Sequence, residues 1–336
     1  MLDYAALNAV SAVVREGSFE GAAHALGLTP SAISQRVRGY EERLGSLLIV
    51  RGQPCLPTAL GKALCAHIDK VRLLEAEIPE LCGQGVMAVS RSPTLKIAVN
   101  ADSLATWFPR AIADFAKETD VFLDLLVEDE AHTADRLRSG DVMAAVTADA
   151  TPVPGCHTTH LGVLRYVACA SPDFILRHFS NGFTRAAFAT APCMCFEKRD
   201  KLQTRWLQDV HHTPLPLHVH YIPSPQGFLD FALAGLGWGL QPLCLAQEHL
   251  ATGRLIELPP QHAIDVTLYW IIPRLKSDLL GKLTQHLKKL NRPASPRSKS
   301  RQNKSFLNNL HLPIVSPTRK NSQSIDGLPL KTVLNP

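Results

Sequence analysis

Apolar side chains recur every three or four residues from Leu7 to Leu44, and residues that end one helix and start the next cut the pattern twice. That punctuation predicts three helices. Asp3 is placed to cap the first, Tyr4 to about Glu16, whose Leu7, Val10, Val13 and Val14 form a packing face. Ser18 can take up a free amide in the first turn of a second helix, Phe19 to Leu26, which Gly27 ends where a positive φ costs little. Thr29 caps a third helix that opens on Pro30, where a missing amide donor and a fixed φ are harmless. Along it Ala32, Ile33, Val37, Tyr40 and Leu44 fall on the packing side, with Ser31, Ser34, Gln35, Arg36 and Arg38 toward the other. A hairpin-like segment closed by Pro57 and Thr58 completes a first domain over residues 1–58.

From Ala59 the spacing changes. Leu60, Leu64, His67, Val71, Leu74, Ile78 and Leu81 repeat at intervals of four and three, which predicts a long helix with a heptad seam. Such a seam is expected to pair with a second copy, His67 being its polar exception; packing on its own domain is the alternative. Pro79 limits the helix, and Gly83 to Pro93 reads as a hinge, so that residues 59–93 form a linker. Strand and helix patterns then alternate: strands at Leu95–Asn100, Val121–Glu128 and Val142–Thr147, helices at Leu104–Lys117 and Thr133–Ser139. A second set begins with a strand at Leu161–Ala170, and Val266–Ile272 with Leu279–Leu290 returns to the first. The alternation calls for mainly parallel sheets covered by helices, in two lobes: one about 94–160 plus 264–290, the other about 161–263.

Two such lobes make a cleft, and open α/β sheets bind ligands at the carboxyl ends of their strands. Asn100 to Trp107 ends a strand and opens a helix, offering free amides and the hydroxyls of Ser103 and Thr106 to a carboxylate. Glu128, Asp129 and Glu130, at the next strand end, are placed to receive a cation. Together they would suit lysine or arginine. The bland alternative is a helix capped by Asp102 or Ser103 and a solvated acidic turn. Asn100, Ser103, Thr106, Asp129, Thr147 and Ser224 are the candidate effector contacts, the last two only because they lie at strand ends.

The polar side of the third helix has the chemistry for a DNA major groove, since Gln and Arg make bidentate contacts with adenine and guanine edges and hydroxyls reach phosphates. The candidate contacts are Ser18, Thr29, Ser31, Ser34, Gln35, Arg36, Arg38, Arg51 in the following turn, and Thr58. Bulk charge adds nothing to this. The chain's formal +5 comes from residues 291–336, which hold eight Lys or Arg against Asp326; the rest nets −2, and residues 1–62 carry six basic and five acidic side chains. The basic, Ser- and Pro-rich tail at 291–336 lacks periodicity and is expected to be disordered.

Other classes find little support. The eight cysteines show no disulfide framework, and Cys193–Met194–Cys195 lacks two further zinc ligands, as His211–His212 and His218 with His220 lack a third. No nucleophile elbow, Walker loop or zinc-protease motif occurs, and Gly235 to Gly239 is wrongly spaced for a dinucleotide fingerprint, so neither an enzyme nor a cofactor is expected. Without a charged leader or a long apolar run, the expected location is the cytoplasm, with no membrane partner.

The run Gly17-Ser18-Phe19, Ala22-Ala23, Leu26, Ser31 to Arg36, Glu41, Leu44-Gly45, Leu48, Arg51, Pro57-Thr58 and Gly61 resembles the N-terminal winged helix-turn-helix of LysR-type transcriptional regulators, in order and without gaps. Pro30, Tyr40 and Ile49 depart from that pattern, Pro30 replacing a frequent Gln and with it one base contact. Ala98 to Trp107 and Val127 to Glu130 resemble the arginine- and lysine-responsive subgroup, whose members regulate basic amino-acid export and are also described as replication-initiation inhibitors. The resemblance implies an α/β chain with an all-α winged helix-turn-helix head and a two-lobed, periplasmic-binding-protein-like effector domain. It implies a homodimer or homotetramer on double-stranded promoter DNA, with room for a contact to RNA polymerase. An architectural DNA binder with an idle cleft and a solute-binding protein are the competing readings.

Overall fold

The computed structural model describes residues 2–78, 93–127 and 130–290. The head is built from α1 (Tyr4–Glu16), α2 (Phe19–Leu26), α3 (Pro30–Leu44) and a wing of two short antiparallel strands, β1 (Ile49–Val50) and β2 (Leu56–Pro57). Each cap acts as its residue type dictates: the side chains of Asp3, Ser18 and Thr29 accept from the amides of Ala6, Gly21 and Ala32. Leu7, Val10, Val13, Ala22, Ile33, Val37 and Tyr40 close over one core with Leu48 and Ile49 from the wing. Leu44 departs from expectation. It stands at the last position of α3 and is 40% exposed, because Leu48, four residues on, fills the core below it.

Thr58 caps α4 (Ala59–Glu75), accepting from Gly61 and donating to the carbonyl of Leu47, so the wing and the rod share one hinge point. A Cβ at Gly61 would lie 2.0 Å from the Leu48 carbonyl oxygen, and only glycine permits that approach. The buried side of α4 is Gly61, Ala66, Ile68 and Leu73. The predicted seam lies on a different side: Leu60, Leu74 and Ile78 are 41%, 38% and 39% exposed, while Leu64 is partly packed into the head core. His67 meets Tyr4 of its own chain, Nε2 to hydroxyl 3.4 Å. Leu81, the hinge and the basic tail lie outside the described residues.

The remaining chain forms two α/β lobes sharing two long strands. In the first lobe, β3 (Thr94–Val99) runs parallel to β4 (Phe122–Val127) on one side and β5 (Ala144–Thr147) on the other. The predicted helix at 104–117 is two helices, α5 (Ala101–Ala105) and α6 (Phe108–Thr119). Thr106 leaves helical geometry at φ −119°, ψ −89°, and Pro109, without an amide donor, belongs to the first turn of a new helix. α7 (Glu130–Ser139) returns to β5. β6 (Cys156–Ala170) then crosses into the second lobe and β11 (Ile264–Pro273) crosses back, paired antiparallel from Ile264↔Tyr166 to Pro273↔Cys156 with a bulge at Leu268/Tyr269. Beyond the crossing, β6 also pairs with β9 (Gly239–Pro242) and β10 (Ile256–Glu257).

The second lobe carries α8 (Pro172–His178), α9 (Arg185–Thr190), β7 (Cys193–Cys195), α10 (Leu202–His211), β8 (Val219–Tyr221), α11 (Pro225–Leu233) and α12 (Leu243–Ala251). β7 and β8 are parallel, and Cys193 bridges to Trp238. In its interior Phe188 packs edge to face on Trp206 and Trp238 at 5.5 and 5.3 Å, and the two indoles meet tilted at 5.4 Å. α13 (Asp278–Leu290) ends the described chain against α6, where His286 reaches Glu118 at 3.1 Å.

Candidate nucleic-acid interface and effector cleft

In the head, burial of Ile33, Val37, Tyr40 and Glu41 on one side of α3 turns Ser31, Gln35, Arg36 and Arg38 outward, all four exposed, with Ser34 half-buried. Arg38 pairs with Glu42 one turn on at 2.9 Å, both side chains in solvent. Arg51 is exposed, its guanidinium 5.1 Å from the Phe19 ring centre, so the wing's cation is set over α2. Ser18, Thr29 and Thr58 each spend a hydroxyl lone pair on a helix cap. Beside the outward face a shallow pocket of about 390 Å³ runs between α1 and α3, lined by Asp3, Gln35, Arg36 and Arg43, with Arg43 ion-paired to Asp3. That pairing, and the amide of Ala6, hold the Asp3 carboxyl below its usual range.

Between the lobes lies a cavity of about 620 Å³. Its first-lobe wall is the carboxyl end of β3 with the start of α5 (Asn100, Ala101, Asp102) and Val127 at the end of β4; Tyr166 and Val266 of the crossing strands form the floor. Opposite stand Phe196, Glu197 and Arg199 to Lys201, then Leu202, Gln203 and Arg205 of α10, Pro223, Pro225 and Phe228 around α11, and Leu240 to Pro242 of β9. Strand ends do line it. Of the predicted effector contacts, Asn100 is there. Ser103 is fully buried and accepts from the indole of Trp107 at 3.1 Å; Thr106 donates to the carbonyl of Asp102 at 2.6 Å; Thr147 is buried and accepts from the amide of Asp149. Ser224 caps α11, with its neighbours Pro223 and Pro225 forming the wall instead. The structure thus places these four outside the cavity lining, and Asp129 lies outside the described residues.

Other residues take their place. The carboxylate of Asp102 accepts from the hydroxyl of Tyr166 at 2.5 Å. Burial raises the Asp102 carboxyl above its usual range, the Tyr166 bond lowers it, and Asp200 raises it again. Asn100 occupies the cap position of α5 without capping it, and among the described residues its Oδ1 has no partner; neither does Oε1 of Gln203, nor either terminal atom of Gln241. Gln203 and Gln241 are each 1% exposed. Asp102 had a signal in sequence, as the acid inside the strand-to-helix turn; Tyr166, Gln203 and Gln241 had none, being brought in by strands and helices far along the chain.

Elsewhere, the His211 ring lies 4.2 Å from that of Phe188 and 5.5 Å from that of Trp206, and among the described residues no group of three His, Cys, Asp or Glu could hold a metal ion. No helix of the described residues is long and apolar enough to cross a membrane.

Both parts of the chain match described families. Residues 4–62 match the family described as bacterial regulatory helix-turn-helix protein, lysR family, and residues 89–291 match the LysR substrate binding domain. The HTH-type transcriptional regulator ArgP of Pseudomonas aeruginosa is 45% identical over 291 residues, 85% of this chain and 95% of that one. LysG of Mycobacterium tuberculosis is 41% identical over 283 residues, 84% and 91% of the two chains. Among solved structures, ArgP from Mycobacterium tuberculosis is 38% identical with a TM-score of 0.74, covering 87% of this chain and 98% of that one. Full-length LysG from Corynebacterium glutamicum with bound effector Arg is 37% identical with a TM-score of 0.64, covering 86% and 98%.

Proposed function

The chain belongs to the LysR family of bacterial transcriptional regulators, and from that premise we propose that it senses a basic amino acid, arginine or lysine, in the cleft between its lobes and controls genes of basic amino-acid export or metabolism. It works in the cytoplasm as a homodimer or homotetramer, in which α3 of each head enters a major groove and two heads sit about 34 Å apart on one DNA face. The observation that carries the DNA reading is the outward Ser31-Gln35-Arg36-Arg38 surface on a helix whose other side is buried. The relative named with bound Arg supports the choice of a cationic effector; Asp102, Glu197 and Asp200 line the cleft together with Arg199, Lys201 and Arg205, acids and bases that suit the two charged ends of an amino acid. A ligand moves such a regulator between arrangements only through its different affinity for them.

Anisotropy titrations on the chain's own upstream DNA and on random duplex, across salt concentrations and with or without arginine or lysine, test this. Upstream DNA is expected to bind at least about a hundredfold tighter than random duplex, with contacts that change when either amino acid is added. Equal affinity for both DNAs would make the chain an architectural binder, and indifference to both amino acids would empty the effector reading.

A further inference from the structure

The cleft contains a carboxylate that pairs with no cation among the described residues. Asp102 stands in the first turn of α5, just beyond β3, partly buried, with the Tyr166 hydroxyl at 2.5 Å and the charge of Asp200 and the thiol of Cys244 nearby. A carboxylate withdrawn from water is costly unless it is paired; of the three basic side chains in the same wall, Arg205 pairs with Asp209 at 3.8 Å and Arg199 with Glu197 at 4.0 Å, and Lys201 lines the cavity without an ion pair to Asp102 among the described residues. Around it the buried amides of Gln203 and Gln241 and the Oδ1 of Asn100 hold donors and acceptors that the protein does not use. Buried polar groups are matched in nearly all native structures, so a set gathered around one cavity and unpartnered among the described residues is available to a guest.

We infer that Asp102, fixed by Tyr166, receives the side-chain cation of the effector and sets the preference for a basic over a neutral amino acid, while Gln203, Gln241 and Asn100 take its amino-acid head group. The inference rests on the cleft being the effector site and adds which residue reads the charge. Tyr166 bonds one carboxylate oxygen of Asp102, Oδ2, and a guanidinium, with five donors in a rigid fork, can approach the other. The hydroxyl of Tyr166 acts as a positioning group, holding the carboxylate toward the cavity.

Calorimetric titration of the full chain with arginine and with citrulline, its uncharged isostere, reads the assignment directly. The unaltered chain is expected to prefer arginine at least about tenfold, as a charge-assisted pair in a partly dry site should. Asp102→Asn should bind citrulline as before and lose the preference to within about threefold. Retention of the tenfold preference in Asp102→Asn, or loss of both ligands, overturns the assignment. A second variant separates this from the cleft itself: Val266→Trp, which fills the floor, should abolish binding of both ligands while the melting transition persists. If arginine still binds Val266→Trp, the cleft reading falls; if binding is lost there yet Asp102→Asn keeps its preference, the cleft stands and Asp102 does not read charge. The pH dependence is a further readout. The groups facing Asp102 are Tyr166 from β6, Asp200 ahead of α10 and Cys244 at the start of α12. Arginine should bind more weakly in the unaltered chain as pH falls into the acid range, because a carboxyl raised by burial takes up its proton at a higher pH than a free aspartate does, and Asp102→Asn should lack that component. An equal slope in both proteins counts against Asp102.

Discussion

Glu41 shows how one buried side chain holds the wing against the reading helix. It sits in the last turns of α3, 9% exposed, and its Oε1 accepts from the amides of Leu48 at 2.7 Å and Ile49 at 3.2 Å, the two residues that open the wing. A carboxylate there satisfies two donors that no helix or sheet would otherwise take, and leaving them unmatched costs about 1–3 kcal/mol each. Glu41→Ala is therefore expected to loosen the wing. Amide exchange of the 46–58 peptide should accelerate more than about tenfold in the full chain, with Glu41→Gln falling between; protection equal to that of the unaltered chain would mean the strand pairing alone holds it. Among the predicted effector residues, the hydroxyls of Ser103, Thr106, Thr147 and Ser224 are each taken by a partner within four residues. A hydroxyl near a turn is usually consumed locally, and sequence offers no way to see which one is spared.

At the scale of the element, α4 has two apolar faces with different destinations. Ala66, Ile68 and Leu73 are buried within the chain, whereas Leu60, Leu74 and Ile78 remain exposed to about two-fifths. The spacing of four and three was legible in sequence because it depends only on helical geometry. Which face a neighbour covers was not. The proposed dimer seam is tested by Leu60→Glu with Leu74→Glu, both away from the head core: the pair should halve the mass seen by sedimentation and weaken binding to a two-half-site duplex at least tenfold, as loss of the linked second head requires. An unchanged mass would put the oligomer contact on another surface. Helix α6 carries a similar lesson, because its apolar spacing runs on through α5, and only Pro109 marks the break at Thr106.

The whole molecule is joined by contacts between the rod and the first lobe. Lys62 of α4 reaches Asp141 at 2.6 Å, Arg136 reaches the same carboxylate at 3.2 Å, and Glu77 accepts from the hydroxyl of Ser277 and the amide of Leu279 at the start of α13. Gly140, at φ +74°, lets the lobe approach so closely that a Cβ there would fall 2.1 Å from that of Ala66. Gly140→Ala should lift the rod from the lobe, which exchange of residues 62–78 would register as lost protection while arginine binding persists; protection that stays as before would show the approach to be dispensable. The same docking has a pH limit. Partial burial pushes the Asp141 carboxyl up, but hydrogen bonds from Lys62 and Arg136 bring it net below its usual range. A carboxyl lowered by folding adds stability above its unfolded value, near ~4, and loses it as pH drops through the lower folded value, so the rod should stay docked at neutral and mildly acid pH and loosen only below about pH 4.

Caps, helix starts and the polar side of α3 were determined by the sequence itself, since a cap acts within three residues and a helical face repeats every turn. That is why Tyr4–Glu16, Phe19–Leu26 and the start at Pro30 stand where the local chemistry puts them. The alternation of strands and helices carried the α/β class but not the strand directions. Mainly parallel sheets were expected, and in the large sheet only β3 with β4 and β5 is parallel, because β6 and β11 cross between the lobes and pair antiparallel with each other and with β5, β9 and β10. The cleft was decided by tertiary structure. Asp102 meets Tyr166 across 64 positions of chain through the register of two crossing strands, and Gln203 and Gln241 arrive from separate elements of the opposite lobe. No short-range rule relates such residues, and their juxtaposition exists only once the sheet has closed.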